Sequence, residues 1–236
     1  MWGPVLRACA DAGWRALAPD LPGYGASEPD RPGTWTRMVD AVERFHTALD
    51  LGPVALCMHD WGGLIGLRWA CDHPASVRAL VISDTGFFAD GKWHGLADVL
   101  RTPGEGEKLA DGMTAEGLAG ALRAVSTGMT DEALTDYARA FETPDRRAAM
   151  LELYRSGEFS ELVPYEGKLA ALGVPTLLLW GADDPFAPVA GANRFAADIP
   201  GAVLKVLPGA GHFVYDDAPA ETSAAVARFL RGVAGS

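Results

Sequence analysis

The chain has 236 residues, of which 49% are hydrophobic and 22% charged, and this composition excludes a disordered or low-complexity protein. Its formal net charge of −11 would repel nucleic acid and anionic membrane surfaces, so neither is expected as a partner. No stretch approaches the roughly 20 apolar residues of a transmembrane helix, and the first residues do not form a secretion signal, so the sequence predicts a cytoplasmic protein.

Short apolar runs of strand length alternate with helical patterns along the chain. None of these runs alternates between apolar and polar residues, so we expect each strand to be covered on both faces, as in a parallel sheet. The runs are Arg15–Pro19, Pro53–Met58, Val77–Ser83, Pro175–Trp180 and Ala202–Leu207, and helical periodicity covers Thr36–Leu49, Gly63–His73 and Ala218–Arg231. This order predicts an α/β fold with a mainly parallel sheet flanked by helices.

One long segment, residues 87–172, interrupts the alternation. It contains only helical patterns, at Gly95–Leu100, Thr114–Val125, Asp131–Phe141 and Pro144–Tyr154. A stretch of this length is too long for a connecting loop. We therefore expect a helical cap over the strand ends, where ligands bind in open α/β sheets. The predicted division is a core formed by residues 1–86 and 173–236, with the cap between its two parts.

A sharp strand-to-helix turn is predicted at Asp60, which is followed by Trp61 and two glycines. This is the pattern of a nucleophile elbow, whose apex residue is normally serine. A carboxylate at the apex is already ionised at neutral pH and can attack an sp³ carbon to form an alkyl ester. The simpler interpretation is that Asp60 only caps the following helix.

The ester would need a general base to activate water, and His212 follows the last predicted strand. Asp184, after the preceding strand, is the candidate that orients this histidine, and we prefer it to the adjacent Asp183. Each residue alone could be an ordinary loop or capping residue. Since each follows a different strand on the carboxyl side of the sheet, we expect one shared site.

Two tryptophans are candidates for holding a leaving halide, because an indole N–H donates a hydrogen bond and accepts none. Trp61 directly follows the apex, and Trp93 lies early in the predicted cap. The alternative is that both are core aromatics, with Trp93 packing the cap onto the sheet.

No metal or organic cofactor is indicated. The glycine-containing turn after the first run lacks the third glycine of a dinucleotide fingerprint, because Glu28 stands there. The histidines outside the candidate site lack metal-ligand spacing. The three cysteines lack CxxC spacing and are interpreted as buried thiols, at Cys9, Cys57 and Cys71.

Taken together, the motifs resemble the α/β-hydrolase superfamily over nearly the whole chain, and within it the branch with an Asp nucleophile. The segments that carry the resemblance are APDLPGYGASE, MHDWGGLIGLRWACDHP, LLLWGADDPFAP and GAGHFVYDDAP. The resemblance implies Asp60 as nucleophile, Asp184 as acid and His212 as base. The HDWGG core is shared by haloalkane dehalogenases and epoxide hydrolases.

The leaving group distinguishes these two activities. Epoxide opening commonly uses two cap tyrosines, and Tyr154 matches one of them. The cap contains no tyrosine before Tyr137, and Trp93 stands in that early part instead. We therefore favour haloalkane dehalogenase and keep epoxide hydrolase as the alternative. Substrate size and oligomeric state are left open.

The resemblance has one gap. Family members have a His-Gly-x-Pro loop after an earlier strand, and this sequence has neither. Without that strand, two neighbouring strands would be separated by roughly 9 to 10 Å. We expect either a rearranged sheet or a chain whose true start lies upstream. An inactive fragment or a ligand-binding relic is the non-enzyme alternative.

Overall fold

Four parallel strands form the sheet of the computed structural model, which describes residues 1–235. They are β1 (Val54–His59), β2 (Val77–Ser83), β3 (Thr176–Gly181) and β4 (Val203–Leu207), and their spatial order is the same as their chain order. Ser83 pairs with His59 on one side and with Leu179 on the other, so β1 and β2 end level with each other and β3 continues two residues further, to Gly181. The α/β fold with a parallel sheet is confirmed.

Helices pack on both faces of this sheet. The helices before and between the strands are α1 (Gly3–Asp11), α2 (Trp35–Ala48), α3 (Trp61–Asp72), α4 (Gly95–Arg101), α5 (Glu105–Gly112), α6 (Ala115–Val125), α7 (Asp131–Ala138), α8 (Pro144–Ser156), α9 (Lys168–Leu172) and α10 (Val189–Asp198). After β4 come α11 (Val214–Asp217) and α12 (Pro219–Ala234). In β3, Leu178 and Trp180 join the core under α2, α3 and α10, while Leu177 and Leu179 join the core under α1 and α12. The central strands β2 and β3 are therefore covered on both faces, as their apolar runs predict, whereas the edge strands β1 and β4 are mostly half-buried.

The residues between β2 and β3 are helical, and within residues 87–172 the structure has no strand. We call residues 87–172 the inter-strand segment. None of the described helices is long and apolar enough to cross a membrane.

The predicted strand Arg15–Pro19 is wrong. These residues have no regular secondary structure, and β1 is an edge strand that pairs with β2 alone. A strand needs a neighbour for its backbone N–H and C=O groups, and no described strand lies close enough to pair with this run. The space beside β1 is an apolar cavity of about 500 Å³, lined by residues that include Leu17, Phe45, Leu56 and Trp69.

Candidate active site

Asp60 lies at the turn between β1 and α3 and has φ 48° and ψ −126°. A positive φ is unfavourable for a residue other than glycine, so the surroundings must hold this backbone in place. Thr85 Oγ1 donates a hydrogen bond of 2.7 Å to the Asp60 carbonyl. A Cβ on Gly63 would lie 2.4 Å from the same Thr85 oxygen, so close packing requires glycine there. Neither glycine after Trp61 has the positive φ that the elbow pattern suggests, because Asp60 itself adopts it.

His212 joins the two predicted carboxylates. Its Nδ1–H donates to Asp184 Oδ2 at 2.9 Å, and its Nε2 lies 3.7 Å from Asp60 Oδ1. The side chain of Asp184 is fully buried, whereas that of Asp60 is 43% exposed. Asp183 is exposed and takes no part in this arrangement. The structure thus brings Asp60, His212 and Asp184 together in the order that a catalytic triad needs.

Asp184 and His212 stabilise each other's charged form. Burial alone would raise the pKa of Asp184, but the hydrogen bond from His212 and those from the backbone N–H groups of Phe186 and Ala187 outweigh it and lower that pKa. Burial alone would lower the pKa of His212, but the hydrogen bond to Asp184 and the charge of Asp60 raise it. The negative charge of Asp60 is therefore one of the causes of the higher basicity of His212.

Two features fix the loop that carries His212. His59 Nε2–H donates to the His212 carbonyl at 2.7 Å, and burial together with nearby His212 lowers the pKa of His59 to about 4. His59 is therefore neutral at neutral pH. Gly181, at the end of β3, approaches the same loop so closely that a Cβ there would lie 2.0 Å from the Gly211 carbonyl oxygen. Sequence reasoning identified neither His59 nor Gly181, because both act through long-range packing.

The three predicted aromatic residues form one cluster beside Asp60. The Trp61 and Trp93 rings stack with centroids 5.3 Å apart, and the Tyr154 ring contacts Trp61 edge-on at 5.3 Å. Trp93 Nε1 is buried and has no hydrogen-bond partner among the described residues. A buried N–H without an acceptor is costly unless a ligand accepts its hydrogen bond.

Arg101 supports this aromatic cluster from the inter-strand segment. Its guanidinium carbon lies 5.2 Å from the centroid of the Trp93 ring. The same guanidinium donates to the carbonyls of Tyr154 and Gly157 and pairs with Glu158. A Cβ on Gly157 would lie 2.6 Å from the Trp61 ring, so this backbone packs directly against the cluster.

Two further residues at the site were not predicted from the sequence. Tyr24 lies near Asp60, and burial together with the charge of Asp60 raises its pKa. Asp84 directly follows β2 and is completely buried. Its position after a strand is the signal that identified Asp60 and Asp184, so the same rule could have found it.

Known proteins are similar to this chain both in sequence and in structure. Residues 1–219 match the sequence profile of the family described as the alpha/beta hydrolase fold. A haloalkane dehalogenase from Mesorhizobium japonicum is 30% identical, with 98% of this chain and 80% of that protein covered. Another, from Psychrobacter cryohalolentis, is 26% identical, covering 96% of this chain and 77% of that protein. The structure of haloalkane dehalogenase DbeA from Bradyrhizobium elkani has the same fold, with a TM-score of 0.84 at 24% identity over 100% of this chain and 87% of that one.

Proposed function

Because the chain belongs to the α/β hydrolase fold family, we propose that it is a hydrolase that cleaves the carbon–halogen bond of a small haloalkane, giving an alcohol, a halide ion and a proton. The observation that carries this proposal is the carboxylate at the elbow, Asp60, 3.7 Å from His212 Nε2. The similarity to two haloalkane dehalogenases supports it.

In the first step, an Asp60 carboxylate oxygen attacks the carbon that bears the halogen. The carbon–halogen bond breaks as the carbon–oxygen bond forms, and the halide leaves with the bonding electron pair. The partial exposure of Asp60 supports this role, because the attacking oxygen must reach the substrate. No base is required, since the carboxylate is the nucleophile.

The departing halide needs hydrogen-bond donors where water is largely excluded. Trp61 and Trp93 are the proposed donors, and the buried, unpartnered Nε1 of Trp93 supports this assignment. The Arg101 guanidinium over the Trp93 ring adds positive charge behind the same pocket.

In the second step, His212 Nε2 takes a proton from water, which attacks the carbonyl carbon of the Asp60 ester. The backbone N–H of Trp61, at the start of α3, is the proposed donor to the resulting oxyanion, and the alcohol then leaves. Esterification removes the negative charge of Asp60, which is one of the causes that raise the pKa of His212 in the free protein. His212 is therefore more easily neutral in the ester, when a base is needed.

We further propose that the inter-strand segment is a cap that closes the substrate pocket over a core of residues 1–86 and 173–236. Contacts of Trp93 and Tyr154 with Trp61 support this division. The three free thiols, Cys9, Cys57 and Cys71, support the expectation of a reducing cytoplasmic compartment.

Epoxide hydrolysis is the second candidate, and the placement of two phenols favours it. Tyr154 and Tyr24 both lie close enough to Asp60 for its charge to contribute to their raised pKa values. Neutral phenols beside the nucleophile could donate to the oxygen of an opening epoxide ring. Tyr24 belongs to the loop before α2 and not to the inter-strand segment, so it is not the second cap tyrosine that the family pattern uses.

Parallel assays with 1-bromobutane and styrene oxide test the proposal. We expect bromide release by the wild-type protein, and no release by Asp60→Asn, whose amide is too weak a nucleophile. Asp50→Asn is a matched control, because Asp50 is an exposed aspartate with the same φ of 48° outside the site. Hydrolysis of styrene oxide without bromide release would favour the epoxide alternative. Full bromide release by Asp60→Asn would exclude the mechanism.

A further inference from the structure

Asp84 is a fully buried carboxyl group to which the mechanism above assigns no role. It directly follows β2 and has φ 41°, a positive value that aspartate adopts more readily than most residues other than glycine. Its Oδ1 accepts a 2.9 Å hydrogen bond from the backbone N–H of Gly181, at the end of β3. Its Oδ2 is buried and has no hydrogen-bond partner among the described residues.

Asp184, the catalytic-acid candidate, lies within hydrogen-bonding reach of the Asp84 carboxyl group. Asp184 Oδ1 accepts from the N–H groups of Phe186 and Ala187, and Asp184 Oδ2 accepts from His212. A carboxylate offers about four acceptor sites, so one on Asp184 is unused. Because the three existing donors favour a charged Asp184, a second charge on the adjacent buried carboxyl would be strongly unfavourable.

The surroundings of Asp84 lower its acidity. Burial comes first among the causes, and the charge of Asp184, a side-chain hydrogen bond with Asp184 and the charge of Asp60 add to it, and together they outweigh the Gly181 hydrogen bond and raise the pKa of Asp84 to about 9. Tyr215 also interacts with Asp84, and because burial raises the pKa of Tyr215, this tyrosine is neutral at pH 7. These surroundings favour the protonated form of Asp84 at neutral pH.

We propose that Asp84 is a positioning residue, a neutral carboxylic acid whose Oδ2–H donates to the Asp184 carboxylate and thereby holds Asp184 against His212. This assignment rests on the proposed function for its catalytic meaning. The protonation state of Asp84 and its hydrogen bond to Asp184 can both be measured without catalytic turnover.

Infrared spectroscopy of the whole protein tests the protonation state. At pH 7 we expect the carbonyl stretch of a protonated carboxylic acid in the wild-type protein and in Asp183→Asn, and its loss in Asp84→Asn. The band should disappear as the pH is raised through about 9. In Asp184→Asn it should disappear at a lower pH, because one of the charges that hold the proton on Asp84 is gone. Absence of a band that depends on Asp84 would overturn the proposal.

The pKa of His212, followed by NMR of the imidazole ring, tests the coupling. The amide of Asp84→Asn can still donate to Asp184, so the His212 pKa should stay at its wild-type value. Asp84→Leu removes the donor, concentrates negative charge on Asp184 and should shift the His212 pKa upward. If Asp84 were ionised, both variants would shift it downward. If Asp84 served only to accept the hydrogen bond from the Gly181 N–H, neither variant would change the pKa of His212. Either result overturns the proposal, and the infrared test stands if Asp84→Leu fails to fold.

Neither measurement uses a haloalkane, so the role of Asp84 and the proposed haloalkane cleavage can be contradicted independently of each other. A protein that releases no bromide but shows the Asp84 band and the expected His212 shifts would contradict the proposed function alone. Bromide release without them would contradict the role of Asp84 alone.

Discussion

The carboxyl edge of the sheet and the free edge of β1 are built in different ways. At the carboxyl edge, hydrogen bonds connect neighbouring strand ends, from Thr85 to Asp60 and from Gly181 to Asp84, and a third, from His59 to His212, connects the end of β1 to the loop after β4. Beside the free edge, an apolar cavity of about 500 Å³ takes the place of a neighbouring strand. The candidate site is therefore positioned by contacts among the ends of β1 to β4, whereas residues 12–53 contribute Tyr24, near Asp60, and flanking contacts such as that of Trp35 with Trp61.

After Asp60→Asn, which removes the nucleophile, the largest effect is expected from Asp184→Asn at the carboxyl edge. The amide no longer stabilises the correct tautomer and the protonated form of His212, so bromide release should fall about 10³-fold or more. Asp183→Asn is the matched control, since this adjacent carboxylate is exposed, and its rate should stay within a factor of about two. Equal losses in the two variants would mean that the His212–Asp184 hydrogen bond is not what matters.

The next largest difference is expected in stability: truncating a leucine should lower the free energy of unfolding more in β3 than in the free edge strand β1. Leu178 in β3 is completely buried between paired strands, so Leu178→Ala should lower the free energy of unfolding by about 3 kcal/mol. Leu56 in β1 is half-buried and already borders the cavity, so Leu56→Ala should cost about 1 kcal/mol. Urea unfolding measures both values. A Leu56 effect as large as that of Leu178 would show that the free edge is packed as tightly as the centre.

A smaller effect is expected at the aromatic cluster. Arg101→Met removes the guanidinium over Trp93 and its hydrogen bonds to Tyr154 and Gly157, so bromide should bind about tenfold more weakly. Tryptophan fluorescence during a bromide titration reports the dissociation constant. Arg194→Met provides the comparison, because Arg194 makes a similar contact with Phe88 outside the cluster and should not change bromide affinity. Unchanged affinity in Arg101→Met would remove Arg101 from the halide pocket.

The smallest effect is the electrostatic effect of Asp60 on His212. The negative charge of Asp60 raises the pKa of His212 in the free protein. Asp60→Asn removes that charge, so the His212 pKa should fall, by about one unit or less at this separation. NMR titration of the imidazole measures it, with Asp50→Asn as reference. A higher His212 pKa in Asp60→Asn would contradict the account of why the base becomes more effective in the ester.

Most of the fold could be predicted because its strands form continuous apolar runs, of which the central ones, β2 and β3, are buried on both faces. Arg15–Pro19 has the same local pattern, but a strand also requires a hydrogen-bonding neighbour, which local sequence does not report. The proximity of Asp60, Asp184 and His212 could be predicted because each follows a different strand and parallel strands end at the same edge of the sheet. The positive φ of Asp60 and the hydrogen bond from His59 could not, because they depend on residues packed across the sheet.

A trapped covalent ester tests the central claim most directly. His212→Ala lacks the base for the second step, so incubation with 1-bromobutane should raise the intact mass of the protein by one butyl group in place of a proton, and peptide mapping should locate that group on Asp60. One equivalent of bromide should be released per chain and no more. If the wild-type protein turned over 1-bromobutane while His212→Ala gained no mass, Asp60 would not be the covalent nucleophile.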